Sequence, residues 1–330
     1  MRYVLGVEST AHTFGVAVVD FHGKIRSNIK DSYVTEKGGL IPLEVRMHHR
    51  RVADEIFERA LKDAKVEENE IEVVAFSNAP GLAPCLLEGM DFSKKLAERL
   101  GVPMVCVNHC IAHLEIGDSI GAKDPVMLYA SGANTQIIAY EVEKYRVFGE
   151  TLDLGVGNFI DTFARYAGLG FPGGPKIQKL AEECKNKDEL IELPYSIKGM
   201  DVAFSGLQTK LKNLLDNGFD IRDLSYSMQE TVFAMLVEAA ERALAHTGKK
   251  ELLLGGGVAC NSRLQEMCKI MCEERGCKLF VPDKSLLVDN AGMIGYLGLK
   301  MFRAGLGTKD LDGVDIAPRE RTDDVEVSWK

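Results

Sequence analysis

The sequence lacks the features that would place it in a membrane or in an oxidising compartment. Its 8 cysteines include no C-x-x-C pair, which argues against zinc-ribbon and thioredoxin-like sites. The longest uncharged run, residues 125–140, contains Ser131 and Gln136 and is shorter than the roughly 18 apolar residues of a membrane-spanning helix. Glu8 stands where a signal peptide would need an apolar core. These absences predict a reduced, cytoplasmic protein that does not enter a membrane.

An excess of basic residues is also absent. Lys and Arg number 40 against 49 Asp and Glu, which gives a net charge of −9. Such a chain is a poor electrostatic match for nucleic acid on its own, so a nucleic-acid substrate would need a local basic patch or a partner that supplies one. With 330 residues, 46% of them hydrophobic, the chain can bury a large core and is long enough for two domains.

The most informative feature that is present is an internal repeat. An apolar strand, a small polar turn ending in Thr and a second apolar strand begin at Val4 and again at Val126. Third strands are predicted over 24–31 and 146–153, and such short turns make antiparallel hairpins. Helices alternating with strands follow each unit. The pattern predicts two related α/β lobes, with a boundary near the Gly-rich, polar residues 117–123.

Three loops of the repeat could bind phosphate. The turns at residues 9–11 and 131–135 occupy equivalent places, and an apolar strand runs into Gly255–Gly256–Gly257 and then Asn261. Backbone N–H groups in such turns and at helix starts can bind anions. Either turn alone could equally be a hairpin without a ligand, and Asn261 could simply cap a helix. The duplication favours a nucleotide held between the loops.

A metal site is indicated by His109 and His113, which lie one helical turn apart on the same face. Two structural histidines are the alternative. Cys110 points about 100° away and is interpreted as packing. Asp289 and Tyr129 are candidates for further ligands, although Asp289 could instead cap the last helix.

Two further polar features have both a structural and a functional interpretation. Asp161 is placed on the first turn of a helix predicted over 158–167. It could accept hydrogen bonds from ribose hydroxyls or only compensate the helix dipole. The run from His48 to Arg51, on a helix predicted over 43–66, is interpreted as a solvated basic face.

Longer motifs identify a family. They are residues 6–11 (GVESTA), 108–113 (NHCIAH), 128–136 (LYASGANTQ), 157–161 (GNFID), 171–175 (FPGGP), 204–207 (FSGL), 255–261 (GGGVACN) and 289–291 (DNA). With them, over essentially its whole length, the chain resembles the TsaD/Gcp family, the tRNA threonylcarbamoyladenosine transferases, and looks most like the archaeal members. The resemblance implies the α/β actin/Hsp70/sugar-kinase (ASKHA) fold, with two duplicated ribonuclease H-like domains around a nucleotide cleft. We expect the first lobe over 1–122, completed by 290–330, and the second over 123–289.

The resemblance also implies an activity. This is the metal-assisted transfer of a threonylcarbamoyl group from threonylcarbamoyl-adenylate to the N6 amine of the adenine beside the anticodon. The tRNAs are those reading codons that begin with A, and AMP is released. ATP, ADP or AMP could occupy the same site. The implied partners are tRNA, a small kinase-like protein and the other subunits of the KEOPS complex.

The resemblance implies site residues as well. One divalent ion, iron or zinc, is expected on His109, His113, Tyr129 and Asp289, with both histidines and Asp289 catalytic. The expected substrate-binding residues are Tyr129, Ala130, Ser131, Gly132, Ala133, Asp161, Gly174, Gln178 and Asn261. Two of them depart from the family pattern, because Ala133 replaces a common glycine and Gln178 a common acidic residue.

Three other functions compete with this one. An ATP-dependent small-molecule kinase of the same fold would share the phosphate loops but leave the histidine pair without a role. A metallopeptidase would need the glutamate of H-E-x-x-H, where this chain has Cys110. A non-catalytic nucleotide-binding scaffold would need no metal.

Overall fold

The computed structural model describes residues 2–35 and 40–330. The strands are β1 (Tyr3–Glu8), β2 (Thr13–Asp20), β3 (Ile25–Ser32), β4 (Ile71–Ala79), β5 (Met104–Asn108), β6 (Val126–Ala130), β7 (Thr135–Glu141), β8 (Lys144–Glu150), β9 (Ile197–Lys198), β10 (Asp201–Val202), β11 (Glu251–Gly255) and β12 (Lys278–Phe280). The α-helices are α1 (Pro42–Ala64), α2 (Ala83–Leu100), α3 (His109–Glu115), α4 (Val156–Tyr166), α5 (Gly174–Glu182), α6 (Ser205–Asp216), α7 (Ile221–Thr247), α8 (Ser262–Glu274), α9 (Lys284–Leu287) and α10 (Ala291–Arg303).

Two five-stranded sheets have the same topology. The first has the order β3-β2-β1-β4-β5 and the second β8-β7-β6-β11-β12. In each, the three hairpin strands are antiparallel, and the other two strands run parallel to the first strand of the unit. The duplicated α/β architecture predicted from the internal repeat is therefore confirmed. The short β9–β10 hairpin lies outside both sheets.

The last helix packs directly on the first sheet. A methyl group at Gly6 of β1 would lie 2.3 Å from the carbonyl oxygen of Ala291 and 2.6 Å from the amide nitrogen of Gly295. Only glycine lets the α10 backbone approach β1 so closely. This contact fits a first lobe completed by the C-terminal segment, and the lobe bounds themselves stay a prediction.

Two helix starts differ from those predicted. Helix α4 begins at Val156, so Asp161 lies on its second turn rather than its first. Helix α10 begins at Ala291, and the side chain of Asn290 caps it by accepting from the Met293 N–H at 3.0 Å. Asp289 is thus not the cap, and its carboxylate is available for other contacts.

The basic run on α1 is not the solvated face that we predicted. His48 and His49 are buried, whereas Arg50 and Arg51 are exposed. His48 Nε2 lies 2.6 Å from Asp31 Oδ1, and His49 Nε2 lies 2.9 Å from the carbonyl oxygen of Ala11. His48 therefore joins α1 to β3, and His49 joins α1 to the loop between β1 and β2, instead of facing solvent.

Within residues 2–35 and 40–330, no helix combines the length and the apolar character needed to cross a bilayer.

Candidate active site

The histidine pair is set by the start of α3. Asn108, the last residue of β5, caps this helix, since its side-chain oxygen accepts from the N–H groups of Cys110 at 3.0 Å and Ile111 at 3.3 Å. The cap fixes the first turn, and His109 and His113 project side by side, with ring centroids 4.8 Å apart. The predicted pairing of these two side chains on one helical face is thus observed.

Asp289 completes a three-residue cluster. Its Oδ1 lies 3.3 Å from His109 Nε2 and 3.7 Å from His113 Nε2. One ligand atom from each of the three residues lies within 4.8 Å of the others. Two imidazoles and a carboxylate form a donor set typical of zinc and non-haem iron sites with an open position.

His113 supplies the structural test of whether a metal fits. Its side chain is buried, and neither of its ring nitrogens has a hydrogen-bond partner among the described residues. Buried polar atoms without partners are costly and uncommon in native proteins. An ion between His109, His113 and Asp289 would satisfy one of these nitrogens, so the residues present fit a metal centre.

Glu8 contacts the centre, and it is not among the candidate residues that the sequence indicated. It is fully buried at the end of β1, with Oε2 lying 2.9 Å from His109 Nδ1. Its Oε1 accepts from the Thr10 N–H at 2.7 Å and the Thr10 hydroxyl at 2.5 Å. Because a carboxylate only accepts hydrogen bonds, Nδ1 of His109 carries the proton and Nε2 is left facing Asp289. A charge in a buried strand needs a partner, and this was the available sequence signal.

The charges of the centre are strongly coupled. Burial acts to lower the pKa of His109, but Glu8 and Asp289 together raise it well above the usual value. Burial likewise acts to raise the pKa of Asp289, and its contacts with both histidines hold that pKa well below its usual value. Burial lowers the pKa of His113. In the metal-free protein, a cationic His109 therefore lies between two carboxylates, and His113 is neutral.

Tyr129 lies against this centre from the second sheet. Its buried ring packs on His113 with centroids 5.0 Å apart. Burial raises its pKa well above the usual value, so the phenol keeps its proton in the metal-free protein. Its role as a fourth ligand stays a prediction. Cys110 is buried in packing contacts, as predicted, with its sulfur 3.7 Å from the Asn134 amide nitrogen.

The loop after β6 offers backbone donors. Ser131 closes the turn, since its N–H and its hydroxyl both donate to the Asn134 carbonyl at 2.9 Å. Gly132 and Ala133 are exposed, and their N–H groups donate to no other described residue. The loop rests on the start of α4, where the Gly157 N–H donates to the Ser131 carbonyl at 3.0 Å. The two N–H groups of Gly132 and Ala133 are thus open to a ligand, and their role in phosphate binding stays a prediction.

The glycine-rich loop meets the loop after β6. Gly256 has a φ of +89°, and a methyl group there would lie 2.4 Å from the Ala130 carbonyl oxygen. Both the conformation and the contact require glycine. The glycine-rich loop and the loop after β6, two of the three loops predicted to bind phosphate, are therefore in direct contact.

Part of the first loop is occupied by internal contacts, and its role in phosphate binding stays a prediction. The Ser9 N–H donates to the Ser77 hydroxyl at 3.1 Å, and the N–H of Thr10 is bound by Glu8. These groups are therefore occupied by internal contacts and not free for a phosphate. The same loop presents His12, whose ring packs edge-on against Phe171 of the second half of the chain, with centroids 5.9 Å apart.

The remaining predicted substrate residues have structural contacts of their own. Asp161 Oδ1 accepts a hydrogen bond from the Gly173 N–H at 2.7 Å. At the neighbouring Gly174, an added methyl group would meet no atom of the part of the chain that the structure describes within 4 Å. Asn261 caps α8 by accepting from the Arg263 N–H at 2.9 Å, as its alternative interpretation had it. The Gln178 amide donates to Glu182 at 3.0 Å and to Ser262 at 3.1 Å. Contact of these residues with an adenylate stays a prediction.

Comparison with known families decides the class of protein. The family profile TsaD, described as tRNA N6-adenosine threonylcarbamoyltransferase, matches residues 24–296. The chain belongs to the tRNA N6-adenosine threonylcarbamoyltransferase family. Curated members of that name from Thermococcus kodakarensis and Thermococcus sibiricus are 51% and 50% identical over 326 residues, covering 98% of this chain and 99% of each relative.

A third relative of the threonylcarbamoyltransferase family is longer. It is a probable bifunctional tRNA threonylcarbamoyladenosine biosynthesis protein of Methanosarcina mazei, 49% identical over 331 residues. The match covers 99% of this chain but 59% of that protein.

Solved structures show the fold that the threonylcarbamoyltransferase family uses here. A full-length HypF structure superposes with a TM-score of 0.61 at 14% identity, covering 93% of this chain and 56% of HypF. Component A of the (R)-2-hydroxyglutaryl-CoA dehydratase of Acidaminococcus fermentans superposes with a TM-score of 0.55 at 12% identity. The match covers 91% of this chain and 98% of that protein. At these identities the likeness concerns the fold alone, and the predicted ASKHA fold is confirmed.

The two departures from the threonylcarbamoyltransferase pattern have different settings. Ala133 is exposed at the tip of its loop and has no left-handed backbone conformation, so its methyl group adds no strain. Gln178 is tied to α5 and α8 through its amide, which leaves its side-chain nitrogen engaged.

Proposed function

We propose that the chain transfers a threonylcarbamoyl group from threonylcarbamoyl-adenylate to the N6 amine of the adenine beside the anticodon, in tRNAs that read codons beginning with A. AMP is the released product. The observation that carries the proposal is the His109–His113–Asp289 cluster, which contacts Tyr129 on the strand that leads into the loop of Gly132 and Ala133, in a chain of this family.

The metal site of the proposal consists of His109, His113, Asp289 and Tyr129, holding one divalent ion, iron or zinc. When bound, such an ion polarises an oxygen of the donor and helps to fix its orientation. Glu8 holds the His109 ring so that Nε2 faces the centre. Tyr129 lies against His113 and brings the second lobe to the same place.

The adenylate is held along the surface formed by the loop after β6 and the glycine-rich loop of residues 255–257. The N–H groups of Gly132 and Ala133 bind its phosphate, as backbone donors in such turns do. Asp161 accepts a ribose hydroxyl, and Gly174 leaves space for the nucleoside. Tyr129, Ala130, Ser131, Gln178 and Asn261 line the rest of the site.

The transfer reaction mainly requires that the donor and the adenine amine are correctly positioned. The donor is a mixed anhydride that is already activated, so no covalent enzyme intermediate is required. The adenine amine is a weak nucleophile, and holding it against the donor carbonyl supplies much of the rate. The site residues orient the donor, and the partner-assisted placement of tRNA brings the amine to it.

Partner proteins complete the tRNA surface. The net charge of −9 disfavours tight tRNA binding by the chain alone at physiological salt. We infer that a small kinase-like protein and further KEOPS subunits supply basic surface. The length of the Methanosarcina relative beyond the matched part supports a functional link to a second protein region.

The test is a transfer assay with unmodified tRNA and synthetic threonylcarbamoyl-adenylate, using purified chain with and without the partner proteins. The metal-loaded chain is expected to form threonylcarbamoyladenosine, and the His109→Ala variant is expected to lose transfer while staying folded at the assay temperature. Full transfer by metal-free protein, or by His109→Ala, would contradict the metal-dependent proposal.

A further inference from the structure

Strand β3 holds the segment that carries Asp289. The Lys30 ammonium donates to the backbone carbonyl of Asp289 at 2.9 Å. The side-chain oxygen of Asn28 accepts a hydrogen bond from the Gly292 N–H at 3.2 Å. The side-chain nitrogen of Asn28 lies 3.4 Å from Asn290 Oδ1. Residues two apart in a strand share one face, so both side chains reach the start of α10 from the same side of the sheet.

Gly292 allows this close approach, whereas a methyl group at Gly15 would only reach ordinary contact distances. Lys30 pairs with Gly15 of β2, where a methyl group would lie 3.4 Å from Lys30 Cβ and 3.5 Å from Ala291 Cβ. A methyl group at Gly292 would lie 2.9 Å from Ile25 Cδ1 and 3.4 Å from Asn28 Cγ. The start of α10 is therefore pressed against β3 with little space to shift.

Asp289 needs such support because no regular element holds it. It lies between the end of α9 and the start of α10, flanked by Val288 and Asn290 in extended conformations. Asn290 binds the carbonyls of Leu286 at 3.2 Å and Val288 at 2.9 Å, which ties the segment to the preceding turn. The contact that fixes the Asp289 peptide itself comes from Lys30.

The placement of a lysine here is not explained by strand pairing. The backbone of β3 already pairs with β2 along its length, and the Lys30 side chain is half-buried, with Asp289 and Glu8 among its nearby charges. Ordering and desolvating a lysine opposes folding. The half-buried cation therefore points to a role at the centre rather than in the sheet.

We propose that Lys30 and Asn28 are positioning residues, which hold the Asp289 backbone so that its carboxylate faces both histidines. The inference rests on the proposed function, because it treats Asp289 as a metal ligand. The direction of the change in metal affinity on loss of Lys30 distinguishes a positioning role from an effect of charge. Charge alone would make loss of Lys30 favour cation binding, whereas loss of positioning weakens it.

The experiment compares Lys30→Met with Lys24→Met, the same substitution at an exposed lysine before β3. Metal-free full-length chain is titrated with Co²⁺, and the visible spectrum of the Co²⁺ protein reports the coordination geometry. Lys30→Met is expected to raise the Co²⁺ dissociation constant about 10- to 100-fold, the range seen when outer-sphere partners of metal ligands are lost. It is also expected to alter the spectrum, and Lys24→Met is expected to match wild type.

Two further variants complete the test. Lys30→Arg keeps a cationic donor and should recover most of the Co²⁺ affinity, and Asn28→Ala should weaken it without changing the charge. Unchanged or tighter Co²⁺ binding by Lys30→Met, with wild type binding normally, would overturn this inference and leave the proposed function intact. Wild-type protein that binds no Co²⁺ and transfers without metal would overturn both.

Discussion

The Glu8 carboxylate lies 2.9 Å from Nδ1 of His109, and this pair joins the end of β1 to the first residue of α3. Thr10 occupies the other carboxylate oxygen, so Glu8 has little freedom to turn. The contact fixes both the orientation of the imidazole and the position of its proton. The geometry of the proposed metal centre therefore depends on a residue that does not itself face the open side of the site.

Replacing Glu8 by Gln keeps the shape of the side chain and removes its charge. We expect metal affinity and transfer rate each to fall about 10- to 100-fold, because the His109 ring loses the carboxylate that orients it. Titration of metal-free protein with Zn²⁺ measures the first effect. Glu98→Gln, at an exposed position of α2, is the matched control, and equal affinities for the two variants would contradict the role given to Glu8.

The coupled charges predict a pH dependence in the metal-free protein. The pKa of His109 lies well above its ordinary 6.5, so the stabilisation from this charged group is complete below the ordinary value and is lost as pH rises through the raised pKa. Urea unfolding at pH values from about 6 to 9 should show this loss in wild type relative to Glu8→Gln. Parallel pH profiles for the two proteins would be inconsistent with the assigned charges.

Replacing His113 is expected to have opposite effects on the stability of the metal-free protein and on the stabilisation that metal provides. His113→Leu removes buried ring nitrogens that have no hydrogen-bond partner within residues 2–35 and 40–330, so the metal-free variant should be as stable as wild type or more stable, by up to about 2 kcal/mol. Added metal should no longer raise its melting temperature. His22→Leu, on the exposed turn before β3, serves as control, and a metal-induced rise that persists in His113→Leu would count against this ligand.

Gly174 allows a test of the adenylate site that leaves the fold alone. A methyl group there meets no atom of the described residues within 4 Å, so Gly174→Ala should not lower the melting temperature. If the nucleoside packs at this position, the affinity for AMP should fall several-fold, as calorimetry would show. Gly206→Ala on α6, which is equally unobstructed, is the control, and unchanged AMP affinity in Gly174→Ala would remove this residue from the site.

The features of the structure that could be predicted are those that depend on local sequence patterns. The repeat beginning at Val4 and Val126 predicted two sheets of the same topology because hairpins are encoded by short turns between apolar strands. The spacing of His109 and His113 predicted their common face because a helix brings residues four apart together. Both features need only neighbouring residues to be read.

The remainder depends on contacts between distant segments. Glu8 meets His109, and Lys30 meets Asp289, through the packing of α3 and α10 on the first sheet. A single sequence does not encode such pairs in its local pattern. The same reason explains the error at His48 and His49, which α1 turns toward the sheet although their basic neighbours are exposed.

The most direct test is anomalous diffraction at the absorption edge of the bound metal, from crystals of the metal-loaded chain. We expect one peak about 2.0–2.2 Å from Nε2 of His109, Nε2 of His113 and a carboxylate oxygen of Asp289. A metal peak away from these three side chains, in crystals of active protein, would contradict the account.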